Sequence, residues 1–490
     1  MTLAVKFNPI IHVLGLMLTA LAVMMAIPAI VEEVITEQMP LEFIFSATFC
    51  LIIGLMATFA TRDNQPFSLD VRQAFILTAL SWLVLPVFAA LPLLGLGLSP
   101  EIGLTFTDAV FETVSGLTTT GSTVMTGLDG LLPGLLLWRS LLQWIGGVGI
   151  IVMAIIMLPF LRIGGMQLFK TESSDKSEKI MPQATDMVKW IMSVYAGITL
   201  LAAIAFMVTG MDGFDAINHA MTTVSTGGYS THDASFSYFT HPTTQWAGTL
   251  FMLAGALPFI SYIKMVRGHR KPFLADPQIR TFLKFLIVVI AAMTLWLVYE
   301  EDMYLFTALT LTAFNVVSVV TTTGFASADY TTWGPAVAAV FFMLTFVGGC
   351  AGSTSGAIKI YRFQVLWVTI REQLSKLRSP NRVVVMRYHG SRLPPELPMS
   401  VLAFLAVFMA SVAVFTILLA MLGIDFVTAL TASATAITNV GPGLGPIIGP
   451  AGNFAPLPDT AKWILCFAML LGRLEIFTLL LLLDPHFWRD

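Results

Sequence analysis

The fold of this 490-residue chain is decided by four short polar segments: TTTGS at 118–122, VSTGG at 224–228, TTTGF at 321–325 and TNVGP at 438–442. Each segment follows a short stretch that reads as a helix and precedes a longer apolar run. A pattern that recurs along a chain indicates a repeated structural unit. The sequence therefore predicts one unit, made of helix, short helix, glycine segment and helix, in four copies.

Spacings within the unit set its register. The reference position is the first glycine of each segment, at 121, 227, 324 and 441. Phe106 and Phe426 each lie 15 residues before their glycine, and Glu112, Asn218 and Asn315 each lie nine before theirs. This register makes residue 227 the equivalent of residue 121.

The composition places the repeats in a membrane. The chain is 56% hydrophobic and only 11% charged, whereas soluble domains carry about 25% charged residues. This excludes a soluble enzyme, a nucleic-acid-binding protein and a secreted disulfide scaffold. Cys50, Cys350 and Cys466 lie far apart in apolar runs, which indicates neither a disulfide nor a metal site. We expect an all-α polytopic membrane protein.

Apolar runs of the length that a spanning helix needs, about 20 residues, predict about ten spans. They lie near 9–31, 42–61, 73–97, 135–160, 186–209, 244–266, 281–299, 336–370, 398–423 and 460–483. Shorter elements lie near 104–119, 213–225, 304–322 and 425–439. At 1.5 Å per residue these reach roughly 20 Å, too short to cross a core of roughly 30 Å. They are either surface helices or re-entrant helices.

The basic residues indicate which side of the membrane each loop occupies. Lys and Arg cluster within 62–72, 162–189, 264–284 and 359–392, and the stretches between these islands have none. The positive-inside rule makes the islands cytoplasmic, so all four glycine segments fall on the outer side and both termini on the inner side. Inverted-repeat transporters would alternate the sides. Four parallel copies instead predict a pseudo-fourfold ring around one axis.

The residue types of the ring favour a cation pore. Non-helical backbone at membrane depth is tolerated where it lines a water-filled path or is buried in protein. Glycine permits positive φ, which lets successive carbonyls face an axis and replace the water around a cation. Four helix C-termini, each carrying roughly −0.5 charge, would favour cations over anions. One such segment alone could be an ordinary polar turn, but four copies on one side favour the pore.

These features together resemble the Trk/Ktr/HKT superfamily of potassium transporters, and within it the bacterial Trk-type uptake proteins. The resemblance covers essentially the whole chain. It includes the two extra N-terminal spans, the four glycine segments, GGCAGSTSG at 348–356 and LGRLE at 471–475. It implies a pseudo-tetrameric, potassium-channel-like pore in which each repeat corresponds to one channel subunit.

The resemblance also implies which residues form the selectivity filter. They are Thr119, Thr120, Gly121, Ser225, Thr226, Gly227, Thr322, Thr323, Gly324, Asn439, Val440 and Gly441. In plant relatives a serine at the first filter glycine accompanies sodium preference, so glycine in all four copies implies passage of potassium and rubidium. The segment at 438–442 departs from the TVGYG filter of potassium channels, and we expect weaker selectivity against sodium than a channel has.

A gate and a barrier are predicted below the filter. The gate residues implied by the family are Gly348, Gly349, Gly352, Ser353, Thr354, Ser355 and Gly356. They form a segment of poor helix propensity, and the alternative is a tight contact between helices. Arg473 is implied as a barrier, because a K⁺ about 8 Å away would meet roughly 2 kcal/mol of repulsion at an effective dielectric of 20. The alternative is a structural pairing of Arg473 with Glu475 or with helix carbonyls. Arg139 and Lys462 are expected at the membrane interface.

The predicted organisation is an N-terminal two-helix extension at 1–70, followed by repeats at 71–184, 185–278, 279–392 and 393–490. The resemblance implies a homodimer in the bacterial inner membrane, with K⁺ as the transported ligand. It further implies a cytosolic TrkA-type regulatory subunit that carries the NAD(H) and ATP sites. Basic residues at 359–392 would act on that subunit or on anionic lipid headgroups. No cofactor in this chain and no nucleic-acid partner are expected.

Three other functions are considered at this level. A proton- or sodium-coupled potassium symporter has the same sequence features as a gated pore. A membrane-embedded enzyme lacks support, because the chain shows no Walker A motif, no HExxH and no histidines at ligand spacing. A membrane anchor without transport leaves the glycine ring unexplained.

Overall fold

The computed structural model describes residues 6–62, 69–97, 104–157, 184–269, 271–379, 381, 385–388, 391–474 and 476–489. The chain begins with a helical hairpin, α1 (Asn8–Thr36) and α2 (Leu41–Ala60). Gly15 and Gly54 lie where these two helices cross, and a β-carbon on either would come within 2.8 Å of the other helix's backbone. Small residues therefore let the hairpin pack closely.

The first two repeats follow the hairpin. The first contains α3 (Val71–Ala89), a 3₁₀ turn (Pro92–Gly97), the short α4 (Phe106–Leu117), a 3₁₀ turn (Leu128–Gly130) and α5 (Pro133–Met157). The second contains α6 (Ala184–Val208), the short α7 (Gly213–Val224), a 3₁₀ turn (Ser235–Tyr238), α8 (Pro242–Ala256) and α9 (Phe259–Val266).

The last two repeats have the same order of elements. The third follows α10 (Pro272–Ala275) and contains α11 (Pro277–Glu300), the short α12 (Leu305–Val320), a 3₁₀ turn (Tyr330–Trp333), α13 (Pro335–Leu344), β1 (Val347–Gly348), β2 (Ile358–Lys359) and α14 (Ile360–Arg378). The fourth follows β3 (Arg387–Tyr388) and β4 (Ser391–Arg392), and contains α15 (Glu396–Met421), the short α16 (Phe426–Thr438), α17 (Asp459–Arg473), α18 (Phe477–Leu483) and α19 (Pro485–Arg489).

Side-chain caps fix the starts of three short helices. The caps are Thr105, Asp212 and Asp425, each accepting a hydrogen bond from the backbone N–H three residues on. Such a cap satisfies one of the four N–H groups that a helix start leaves unpaired. The short helix of the third repeat begins after Tyr304, which provides no side-chain cap.

Seven helices within the described residues are long and apolar enough to span a membrane. They correspond to seven of the ten runs expected from hydropathy. Three of the expected runs, 244–266, 336–370 and 460–483, are interrupted, and each is the second helix of its repeat. The run at 244–266 bends by 94° between α8 and α9, because Pro258 cannot donate to a continuing helix and holds Leu257 extended.

The repeats are arranged in a ring. Each short helix packs against the second helix of its own repeat, and α7 and α12 also contact the second helix of the repeat before. The circle closes where α17 of the fourth repeat packs against α4 of the first. The all-α, pseudo-tetrameric architecture expected from the sequence is confirmed.

Candidate functional site: a ring of four glycine segments

The four glycine segments share one backbone conformation. In each, a residue just after the short helix has φ between 53° and 60°, and a glycine two residues later also has positive φ. The pairs are Thr119 and Gly121, Thr226 and Gly228, Thr322 and Gly324, and Asn439 and Gly441. The residue between them donates its N–H to the carbonyl five residues earlier, at 2.8 to 3.1 Å in all four copies. The four strands are therefore structurally equivalent.

This equivalence corrects the register of the second repeat by one residue. Gly228, with φ of 77°, and not Gly227 takes the place of Gly121. Ser225 is the C-cap of α7 and its hydroxyl donates to Thr222 O at 3.2 Å, so it corresponds to Thr118 and not to Thr119. The sequence-based register took Gly227, the first glycine of the pair, as the equivalent of Gly121, but the second glycine of the pair has the positive φ.

The ring is closed by contacts between successive strands. A β-carbon on Gly121 would collide with the carbonyl oxygen of Gly227, and one on Gly441 would lie 2.7 Å from that of Thr120. Gly228 and Gly324 face the carbonyls of the next strand in the same way. Only glycine permits this approach together with positive φ. The ring carbonyls are those of Thr120, Gly227, Thr323 and Val440.

Hydroxyl and amide groups of the segments fall into two sets. Thr120 and Thr323 bond to the threonine two residues earlier, at 2.7 and 2.8 Å. Asn439 donates to Thr120 Oγ1 at 2.9 Å and so ties the fourth strand to the first. Thr226 and Thr322 instead bond to the loop below the ring. These hydrogen bonds brace the four segments against one another and against the loop. Within the described ranges, no three or more His, Cys, Asp or Glu residues are placed to hold a metal ion together.

A buried ion pair supports the ring on its outer side. Arg139 Nε lies 2.8 Å from Glu112 Oε1, and each side chain is only 1% exposed. Arg139 also donates to Ser230 O at 3.0 Å and to Thr123 Oγ1 at 3.2 Å, so it joins the first two repeats. The Tyr229 ring lies 4.2 Å from its guanidinium. Glu112, on the short helix of the same repeat, neutralises the charge of Arg139 inside the protein.

The position nine residues before each ring glycine anchors the backbone that leaves the ring. Glu112 accepts from Val124 N at 2.9 Å in the first repeat. His219 Nε2 bonds to Ser230 Oγ at 2.9 Å in the second, and Asn315 donates to Ser327 Oγ at 2.9 Å in the third. The register correction makes His219, not Asn218, the second member of this set. In the fourth repeat the neighbouring Thr431 accepts from Leu444 N at 3.1 Å.

The loop at 348–356 lies against the ends of three short helices. Thr354 Oγ1 donates to Val224 O at 3.1 Å and to Gly255 O at 3.0 Å. Gly356 N donates to Thr322 Oγ1 at 2.7 Å, and Ala357 N donates to Thr438 O at 2.8 Å. The loop thus crosses below the ring and is hydrogen-bonded to repeats two, three and four.

Contacts within the loop hold its shape. Its ends pair as the parallel strands β1 and β2. Gly349 N donates to Ser355 Oγ at 2.9 Å, and Ser353 Oγ donates to Cys350 O at 2.7 Å. Cys350 N donates to Ala256 O, at the bend of the second repeat, at 3.0 Å. Gly352 has φ of 77°. The segment is therefore a hydrogen-bonded loop that interrupts the second helix of the third repeat.

Arg473 reaches the same loop from the fourth repeat. Its side chain is 3% exposed. Nη1 donates to Thr354 O at 3.0 Å, and Nη2 lies 3.5 Å from Gly146 O in the first repeat. The guanidinium therefore links the loop to two further repeats. Its predicted alternative partner, Glu475, lies outside the described residues.

The outer mouth is a cavity of about 310 Å³ whose lining includes the four ring glycines and Arg139. His232, at its edge, hydrogen-bonds to Asp129 through Nδ1 and to Asp215 Oδ2 through Nε2 at 3.0 Å. Burial lowers the pKa of His232, but the two carboxylates outweigh it and the pKa is raised overall. The hydrogen bond from His232 lowers the pKa of Asp129.

A second ion pair lies where the ring closes. Lys462 Nζ is 2.6 Å from Asp108 Oδ1, and the lysine side chain is 5% exposed. The adjacent Trp463 donates from Nε1 to Thr107 Oγ1 at 3.2 Å. These contacts join α17 to α4. Lys462 is therefore a buried link between the last and first repeats, close to the start of α17.

Comparisons with known proteins agree with this architecture. Residues 41–488 match a family model named TrkH and described as a cation transport protein. The Trk system potassium uptake protein TrkI of Halomonas elongata is 50% identical over 486 residues, covering 99% of this chain and 98% of the relative. The TrkH protein of Escherichia coli K12 is 35% identical, covering 99% of this chain and all of the relative. The crystal structure of the potassium transporter TrkH from Vibrio parahaemolyticus superposes with a TM-score of 0.90 at 34% identity, covering 99% of this chain and 100% of that one.

Proposed function

The chain belongs to the TrkH family of cation transport proteins, and from this membership we propose that it takes up potassium through its glycine ring along a gated, channel-like path. The observation that carries the proposal is the closure of four equivalent strands into one ring of carbonyls. It is a polytopic membrane protein and not an enzyme. The described residues offer the ring oxygens, and not a carboxylate cluster, as ion ligands.

The chemistry of the ring suits a large monovalent cation. Carbonyl oxygens from four strands can replace the hydration shell of K⁺ at little cost, since their number and dipole strength match that ion. The four short helices end at the ring, and their carbonyl ends together contribute at most about −2 charges. Both effects stabilise a cation that has lost its water. Glycine at all four ring positions supports passage of potassium and rubidium.

We propose that the loop at 348–356 is the gate and that Arg473 is a barrier beside it. The hydrogen bonds from Thr354 and Gly356 to the short-helix ends support a closed position below the ring. The two contacts of Arg473 place its positive charge at the same level. Opening would break these few bonds without disturbing the ring itself.

Regulation and assembly extend the proposal. The relatives are named as parts of a Trk system, which supports a multi-component assembly. We propose a homodimer in the bacterial inner membrane, with both termini cytoplasmic, and a cytosolic TrkA-type subunit that binds NAD(H) and ATP. The basic helix α14, which follows the loop directly, is the route by which that subunit would move the gate.

Uptake of radioactive rubidium into liposomes tests the function. Purified protein is reconstituted in vesicles loaded with potassium, and external potassium, sodium or lithium competes. We expect uptake without a proton or sodium gradient, inhibited more strongly by potassium than by sodium. Uptake that requires either gradient would indicate a coupled symporter. If uptake remains absent with either gradient and with the regulatory subunit present, the proposal is wrong.

A further inference from the structure

One oxygen of the carbonyl ring differs from the other three in its hydrogen bonding. The side-chain amide of Gln143 donates from Nε2 to Gly227 O at 2.6 Å. In the part of the chain that the structure describes, no protein group donates to the ring carbonyls of Thr120, Thr323 and Val440. The ring therefore combines three oxygens that are free to face an ion with one that is already engaged.

Gln143 is positioned to hold this strand on both sides of its ring glycine. It lies on α5 of the first repeat and is fully buried, with 0% exposure. Its Oε1 accepts a hydrogen bond from Tyr229 N at 3.0 Å, so its two polar atoms bind the residues before and after Gly228. A side chain from one repeat thus fixes the ring strand of the next.

The sequence of the strand is matched to this side chain. A β-carbon on Gly227 would collide with Gln143, lying 2.8 Å from its Nε2. The equivalent residues in the other strands are Thr120, Thr323 and Val440, which all carry a β-carbon. The double glycine of the second segment is therefore explained: Gly228 serves the ring, and Gly227 makes room for the glutamine.

Repeats two and four have a methionine where the first repeat has Gln143. Gly146, Gly255 and Gly472 correspond to one another, because each packs against the carbonyl of the residue four before a ring glycine. Three residues before them lie Gln143, Met252 and Met469, all with 0% exposure. A methionine side chain has no N–H to donate. The amide of the first repeat thus has no counterpart in repeats two and four.

We propose that Gln143 is a positioning residue that sets the preference for potassium over sodium by acting on the Gly227 carbonyl. The inference rests on the proposed function. A carbonyl that already accepts a short hydrogen bond has less electron density to offer an ion, and the amide holds it in place. Weaker and less mobile oxygen ligands favour a large cation, since a small one needs the oxygens to close around it. Removal of the amide frees the oxygen to approach sodium.

The test compares three variants of the full chain in the rubidium assay. Gln143→Met introduces the residue type of repeats two and four. The double variant Gln143→Met with Gly227→Thr fills the space again and still lacks the donor. Gln245→Met is the matched control, because Gln245 is also a buried glutamine in a second helix, but its amide donates to Phe239 O, away from the ring.

The measured quantity is the sodium concentration that halves rubidium uptake divided by the corresponding potassium concentration. We expect this ratio to fall about three- to tenfold in Gln143→Met and in the double variant, the range for one neutral hydrogen bond. Gln245→Met should keep the wild-type ratio. Absence of potassium-inhibited uptake in the wild type, even with either gradient and with the regulatory subunit present, would refute the proposed function itself.

Three outcomes would overturn the inference while leaving the proposed function intact. The first is an unchanged ratio in an active Gln143→Met protein, even if total uptake falls. The second is recovery of the wild-type ratio in the double variant, which would assign the effect to packing. The third is failure of both Gln143 variants to fold while Gln245→Met folds, which would make Gln143 a structural residue.

Discussion

At the scale of single residues, the absence of a β-carbon has different consequences at different glycines. Gly121 and Gly127 both have positive φ, of 85° and 71°. A β-carbon on Gly121 would collide with the next strand of the ring, whereas one on Gly127 would have no atom within 4 Å. Substitutions at these two glycines therefore distinguish the cost of a left-handed backbone, which both share, from the cost of a collision with the next strand, which only Gly121 has.

We predict that Gly121→Ala abolishes selective rubidium uptake, while Gly127→Ala retains it. Both substitutions incur the left-handed strain of about 1–2 kcal/mol, but only the first displaces the Gly227 carbonyl. Rubidium uptake and thermal stability of both purified variants provide the measurement. Gly121→Ser adds the same β-carbon, and we expect it to raise the permeability to sodium relative to that to potassium. Equal behaviour of the two alanine variants would show that backbone strain alone matters.

The Glu112–Arg139 pair allows a second prediction at this scale. Arg139→Met leaves the Glu112 carboxylate buried without its partner, which costs about 3–5 kcal/mol. We expect the melting temperature in detergent to drop sharply. The double variant Glu112→Leu with Arg139→Met removes both charges and should lose less stability than Arg139→Met alone. A double variant less stable than the single one would argue against a charge-pairing role.

Residue-level features were only partly predictable from the sequence. The four glycine segments and their ring were predictable because the pattern recurs. The register of the second segment was not, since composition does not say which glycine of Gly227-Gly228 has positive φ. Burial of Arg139 depends on a carboxylate from another helix. The residues around Gln143 give no indication of its contact with the ring, and the one clue lies in the second repeat, in the extra glycine Gly227.

At the scale of elements, the interrupted helices carry the proposed gating machinery. The loop at 348–356, the bend between α8 and α9, and the break after Arg473 lie in the second helices of the last three repeats. Apolar residues continue on both sides of each break, so hydropathy alone does not reveal these interruptions. The glycines of 348–356 did indicate one of them in the sequence. The bend at Leu257–Pro258 depends on a single proline and was not predicted.

We predict that Thr354→Val increases rubidium uptake in the absence of any regulatory subunit. The valine keeps the shape of threonine but loses the hydrogen bonds to Val224 O and Gly255 O. A loss of about 1–2 kcal/mol from the closed arrangement raises a small open population about five- to thirtyfold. The matched control is Ser353→Ala, because the Ser353 hydroxyl bonds only to Cys350 O within the loop.

Two results would contradict the gate. One is unchanged uptake in a folded Thr354→Val protein. The other comes from deletion of 348–356: the gate predicts a leaky pore, whereas misfolding without any leak would favour a packing role for the segment.

At the scale of the whole molecule, neighbouring repeats are tied together at the outer mouth by titratable groups. His232 of the second repeat bonds to Asp129 of the first and to Asp215 of its own short helix. The groups facing the imidazole are these two carboxylates and the ring of Tyr238, stacked at 3.5 Å. The protonated imidazole is therefore favoured in the folded protein.

This arrangement predicts a pH dependence of stability. Because the folded pKa of His232 is raised above its unfolded value, near 6.5, its contribution is fully present below that pH. It is lost as the pH rises through the folded pKa. Melting temperatures measured between about pH 5 and pH 9 should fall more steeply in the wild type than in His232→Gln. Parallel curves for the two proteins would exclude this contribution.

The last contact of the ring, between Lys462 and Asp108, has a consequence for biosynthesis. The four repeats are translated in the order in which they stand around the ring, and the fourth repeat docks on the first through α17 and α4. A nascent chain that has inserted three repeats has an open side and no closed ring of oxygens. The closed ring and the contacts that hold Arg473 beside it therefore form only after the final helices enter the bilayer. Under the proposed function, an incomplete chain has no closed ring through which ions could cross the membrane.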